Sequence, residues 1–180
     1  MSLRFNVIAA PFACLVMIAL AQPLAAQSGR TSDSYAKAAA ASDLFEIQSG
    51  QLALEKSQND AVKSFAKMTV DDHTDSTSKL KNAMSEAGIA ETEPELTAEQ
   101  QKILDKLQPL SGRKFDREYV KAQADAHAKA LALHKKYSTG GDTPALTAFA
   151  ASVIPVIEHH KKEADVLAKS TSAARGKKRS

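Results

Sequence analysis

Four side chains in this sequence have the types and the spacing to do chemistry together: Glu46, His73, His127 and His160. Each lies in a run of apolar residues recurring every three and four positions, the period of a helix face turned towards a core. A buried neutral imidazole needs a partner for each ring nitrogen, and a buried carboxylate needs donors. Two arrangements would supply them. In the first, three imidazoles and one carboxylate hold a divalent transition metal ion such as Zn, Fe, Mn or Cu, since facing helices of a bundle build such sites in their interior. Asp72 would then be a ligand or the partner of a ligand's other nitrogen, although its place beside His73 aims it off the stripe. In the second, no metal is present: Glu46 pairs with one or two of the histidines, one of them protonated, and Tyr119 and Gln123 complete the hydrogen bonds. The residues alone leave both open.

The elements that must position these groups are helices. Few glycines, no tryptophan, abundant Ala, Lys, Glu and Gln, and no sustained alternation of period two point to an all-α chain. The pattern predicts a first helix from about Ser34 to Ser57, in which Glu46 shares a line with the small residues Ala39, Gly50 and Ala53 and can approach a neighbour closely. A second runs from about Asp60 to Ala87 with His73 midway along its stripe, and Gly88 stops it. Thr97 and Gln100 form a capping box that starts a short helix ending near Leu107. A third long helix is predicted to begin with Asp116 as N-cap and a staple between Phe115 and Val120, and to run past His127 and His134 to Tyr137, where "STGGD" breaks it. The last starts at Pro144, contains Pro155, which should kink it, and ends near Lys169 with His160 on its core face. Short connections pair the first two long helices and the last two as antiparallel hairpins, joined by a longer crossover that carries the short helix.

The ends bound the compartment. Residues 1–26 read as a signal peptide: Arg4, an apolar stretch from Val7 to Ala21, then small residues, with cleavage expected after Ala26. That stretch is short for a bilayer span, which needs about 20 residues. The expected product is a domain over residues 27–172 and a basic, disordered tail over residues 173–180, located in the periplasm or at the outer membrane. Cys14 is the only cysteine and falls inside the apolar stretch, so the domain must rely on its core rather than on disulfides. Formal charge is +3, from 24 basic and 21 acidic residues. Arg4 and the four basic residues of the tail account for that excess, leaving a body of about −2. Contact of the tail with an anionic envelope surface is the one partner this suggests. The basic residues are not interleaved with aromatics, which argues against nucleic acid. No nucleophile motif, glycine-rich phosphate loop or membrane-strand alternation is visible, so a non-enzymatic role is expected.

Three stretches, "EIQSGQLALEKSQNDAVKSFAKMTVDDHT", "LSGRKFDREYVKAQADAHAKALAL" and "GGDTPALTAFAASVIPVIEHHKKEADVL", together resemble the exported bacterial family called domain of unknown function 4142, often labelled predicted outer-membrane proteins. The resemblance spans about Ala40 to Leu167, and the family's pattern falls on Glu46, Asp72, His73, Phe115, Asp116, Tyr119, His127, Pro155 and His160. It implies a ferritin-like four-helix bundle in the cell envelope and no known activity. Di-iron members of the wider ferritin-like class carry Glu-x-x-His pairs. Here Val70, Ala124 and Ile157 stand three residues before the three histidines, which excludes that site and leaves at most a mononuclear one. This departure favours the metal-free reading: a binding or stress-related envelope module whose Glu/His cluster specifies packing. The rival is a mononuclear metal-binding protein using Glu46, His73, His127 and His160, supported by Asp72, Tyr119 and Asp116.

Overall fold

The computed structural model describes residues 24–173, and side chains from Thr31 to Ser172. The segment before Leu24 and the basic residues after Ala173, on which the signal-peptide and tail readings rest, lie outside the described residues. Five helices follow in order: α1 (Leu24–Lys56), α2 (Asp60–Glu86), α3 (Ala98–Leu107), α4 (Gly112–Gly140) and α5 (Pro144–Ala173). No strand occurs among the described residues.

Each short connection is built by its own chemistry. Asn59 caps α2, its side chain accepting from the Ala61 amide at 3.0 Å. Gly88, at φ 68°, lets the chain leave α2 in the left-handed region while the Ile89 amide donates to the Met84 carbonyl at 2.9 Å. The capping box of α3 has both arms, Gln100 N–H to Thr97 Oγ1 and Thr97 N–H to Gln100 Oε1.

The start of α4 corrects the sequence reading. The helix begins a turn earlier, at Gly112 with Ser111 as N-cap, so Asp116 is not a cap and Phe115 and Val120 are no staple. Phe115 and Val120 are fully buried in the core, and the buried Asp116 accepts from Ser57 Oγ at 2.6 Å, tying α4 to the α1–α2 connection. The end of α4 also runs on through Ser138 and Thr139 to Gly140. Their hydroxyls bond back to the Lys135 carbonyl, and the Gly141 amide closes the last turn on the Tyr137 carbonyl at 2.7 Å.

Helix α1 packs on α2 and on α4, and α5 packs on α4 and on α2, so the four long helices close into a bundle of two hairpins with α3 against α4. Helix α1 approaches α2 closely at Gly50, where an added Cβ would lie 2.6 Å from Val70 Cγ2 and 3.2 Å from the Ala66 carbonyl oxygen. The interior is not one apolar core. One cluster, around Tyr35, Leu80, Tyr137, Leu146 and Phe149, fills the end where α1 begins and α4 ends. A second, around Leu52, Phe65, Leu107, Phe115 and Tyr119, fills the other. Between them lies a buried polar layer of Asp43, Glu46, Ser49, Thr69, His73, Gln123, His127 and His160.

Candidate metal centre

Three of the four predicted groups meet in that layer. His73 comes from α2, His127 from α4 and His160 from α5, at 4 %, 0 % and 0 % exposure. One ring nitrogen of each lies within 4.8 Å of those of the other two. The ring centroids form a nearly equilateral triangle, 5.6 Å for His73–His127, 5.5 Å for His73–His160 and 5.2 Å for His127–His160. An ion about 2.0–2.1 Å from each nitrogen in tetrahedral geometry would hold the nitrogens about 3.4 Å apart, inside the 4.8 Å within which they lie.

The far side of each ring is committed to an acceptor. His73 Nδ1 is 2.7 Å from Asp43 Oδ1, His127 Nδ1 is 2.9 Å from the Gln123 carbonyl, and His160 Nε2 is 2.9 Å from Asp72 Oδ2. None of these acceptors carries a proton when ionised or as a carbonyl, so the ring nitrogen must donate. In a neutral ring that fixes the tautomer and leaves a lone pair on the other nitrogen: His73 Nε2, His127 Nε2 and His160 Nδ1. These three nitrogens have no hydrogen-bond partner. Carboxylates or carbonyls that hold a ligand's second nitrogen are the usual outer partners of metal-bound histidine.

Glu46 stands beside the triangle rather than in it. It is 1 % exposed, neither carboxylate oxygen has a hydrogen-bond partner, and Oε1 is 3.7 Å from His127 Nδ1, too far for a hydrogen bond. Its neighbours on that side are Gln123, whose Nε2 donates to Ser49 Oγ at 2.9 Å, and the Tyr119 hydroxyl, which has no partner. Tyr119 stacks its ring on Phe115 and donates to no histidine. Asp116 lies away from the rings, on Ser57.

The electrostatics differ from ring to ring. Burial pulls the His73 imidazole down, but the Asp43 hydrogen bond and the charges of Glu46, Asp43 and Asp72 together outweigh it, and its pKa is raised. Burial holds His127 below the usual histidine value, helped by the charge of His73 and opposed by Glu46 and the Gln123 carbonyl. Burial and the neighbouring His127 and His73 push His160 down to about 4. Burial and the Glu46 carboxylate push the Tyr119 hydroxyl up.

A family model described as domain of unknown function (DUF4142) matches residues 19–167. The chain belongs to that family. No curated protein and no solved structure matches it. Family membership thus supplies no activity, and the chemistry of this DUF4142 chain has to be read from its own layer of residues.

Sequence reasoning missed Asp43, the group that holds His73. Its signal was available: Asp43 stands three residues before Glu46, one turn along the same helix, where a second carboxylate faces the same neighbour. It also missed a second polar cluster, which runs from the buried Tyr35 and His134 out to the exposed Asp142. His134 Nδ1 is 2.8 Å from the Tyr35 hydroxyl, Tyr35 stacks on Tyr137 at 3.7 Å, and the Tyr137 hydroxyl donates to Asp142 Oδ1 at 3.1 Å. The exposed Asp71 pairs with Lys67 on the surface of α2.

Proposed function

We propose that this chain is a metal-binding helical bundle that holds one divalent transition cation, Zn, Fe or Mn, on His73, His127 and His160, with Glu46 supplying a balancing charge. The observation that carries this reading is the set of three buried, unpartnered ring nitrogens, each fixed as a lone pair by the acceptor behind its ring. Three lone pairs that face one another repel, and a cation between them removes the repulsion. A set of borderline imidazole donors with one hard carboxylate alongside suits these ions.

A metal-free cluster that specifies packing is the second reading, and the raised pKa of His73 favours it, since one proton could sit among the rings. A single proton satisfies at most two of the three nitrogens and leaves the third, with both Glu46 oxygens, unpaired in the interior. The ion accounts for more of the orphaned atoms. The leader-like N-terminus supports an exported setting in the cell envelope. Among the described residues no helix is long and apolar enough to cross a membrane.

Elemental analysis of the protein purified without an affinity tag, before and after incubation with Zn, Fe(II) and Mn(II), tests the reading. One ion per chain is expected, lost in His73→Ala and His160→Ala. Substoichiometric metal in the wild-type protein after all three incubations would leave the metal-free network as the account of the layer.

A further inference from the structure

The three rings are sealed unequally, and the difference marks how an ion would get in. Behind His73 stands Asp43, 3 % exposed, and behind the fully buried His127 stands a carbonyl of its own helix. Behind His160 stands Asp72, whose side chain is 45 % exposed. Of the three acceptors that hold the rings, Asp72 is the one in contact with solvent. It lines a small cleft of about 40 Å³ at the seam between α2 and α5, whose floor includes His73 and Ser76 and whose exposed rim includes Lys79, Ser152 and Val156. The other carboxylate at this mouth, Asp75, is already paired with Lys79 at 2.6 Å, which leaves Asp72 as the carboxylate there without a lysine partner.

We propose that the cation enters through this α2–α5 seam and that Asp72 is its relay. This rests on the metal-binding reading above and adds the route and the residue that controls it. A carboxylate half in water attracts a hydrated divalent cation and can replace part of its water shell. An ion taken up by the Asp72 carboxylate draws its charge away from the Nε2–H of His160 and weakens that hydrogen bond. As that bond weakens, the His160 ring, one turn beyond Val156 of the cleft lining, gains freedom to turn towards the ion. Once the ion has passed to His160 Nδ1, the carboxylate recaptures Nε2–H. One side chain thus serves first as a surface ligand and then as the latch of the buried one.

The route separates rate from affinity. Stopped-flow mixing of the metal-free protein with Co²⁺, read by the visible absorption of the coordinated ion, gives the loading rate, and equilibrium titration gives the dissociation constant. Ser152 is exposed at the mouth. Ser152→Phe is expected to slow loading at least tenfold and release by the same factor, with the dissociation constant within about threefold of wild type. Val156→Trp, at a residue 40 % exposed on the same rim, is the second plug should the first not fold. Asp72→Asn, which still accepts from His160, is expected to slow loading and to flatten its dependence on ionic strength. Ala38→Phe, on the exposed α1 side of a separate groove between α1, α3 and α4, should load at the wild-type rate. Wild-type loading by a folded plug variant, or equal slowing by Ala38→Phe, overturns the route while leaving the metal site standing. Failure of the wild-type protein to bind Co²⁺ at equilibrium overturns the metal reading itself.

Discussion

Two polar clusters in this bundle look alike in composition and differ in completeness, the first of them reaching solvent at Asp142. Near the start of α1, Ser32, Tyr35, His134, Tyr137, Asp142 and Thr143 form a closed set: Ser32 Oγ donates to Asp142 Oδ1 at 2.6 Å, Thr31 also bonds to Asp142, and Tyr35 bonds to His134. None of its side-chain atoms is an orphan among the described buried groups. Midway along the bundle, the Glu46, His73, His127 and His160 layer contains five unpartnered ring and carboxylate atoms, and Tyr119 and Gln123 add two more. Buried polar groups are almost always satisfied. A complete network is explained by holding helices in register, whereas the incomplete one, on rings whose far sides are each anchored, is the arrangement that the proposed ion would complete.

That contrast can be broken at several strengths. The largest stability effect is expected at Asp43, because removing it strands His73. Asp43→Ala should cost about 3 kcal/mol in chemical denaturation, between an unpaired buried donor and an unpaired buried charge. The sign with pH follows from the raised pKa of His73: the pair's contribution is full below the unfolded histidine value and is lost as pH rises through the folded one. The loss in the variant should therefore be largest below the unfolded histidine value and shrink as pH is raised through the folded one, and a loss that grows with pH would contradict the raised pKa. The closed cluster should behave in the opposite sense. Burial holds His134 down to about 4, so its contribution is present above the usual histidine value and is lost on acidification towards 4, by about 1.4 kcal/mol per pH unit. His134→Gln should flatten that acid limb in thermal melts.

A smaller effect is expected where α1 meets α2. Gly50→Ala, with its new methyl against Val70, should lower stability by about 1–3 kcal/mol and weaken metal binding through the shifted Asp43 and Glu46, read by titration calorimetry. Smallest is Tyr35→Phe, which removes one hydrogen bond from the closed cluster. It should cost about 1 kcal/mol and leave metal content unchanged. Loss of metal in Tyr35→Phe would join the two clusters into one functional unit and end the distinction between them.

Most of the fold was legible because each helix carries local signals that tertiary contacts had no reason to override. The capping box at Thr97 and Gln100, the stop at Gly88 and the proline at the start of α5 each specify a boundary through their own backbone chemistry. Asp116 misled because a carboxylate before a hydrophobic stretch has the same signature whether it caps a helix or, as here, reaches across to Ser57. At the site, helical period was enough to put His73, His127 and His160 on inward faces. It could not say which groups stand behind them, because a hydrogen bond between α1 and α2, or between α2 and α5, depends on relative rotation of two helices and not on the pattern of either. Asp72 shows the limit well: one position off the stripe, it reads as a surface residue, and the packing of α5 turns it into the holder of His160.

The triangle of rings has one consequence for the chain as a polymer. Its corners belong to three different helices and to both hairpins, and no cysteine occurs among the described residues. An ion at its centre is then a cross-link that closes two long loops at once and restricts the unfolded ensemble as a disulfide would, but reversibly. The bound form should resist proteolysis and unfold slowly, while a chelator releases the hairpins from one another. In an oxidising compartment such a clasp would be insensitive to thiol chemistry and would respond instead to the supply of metal.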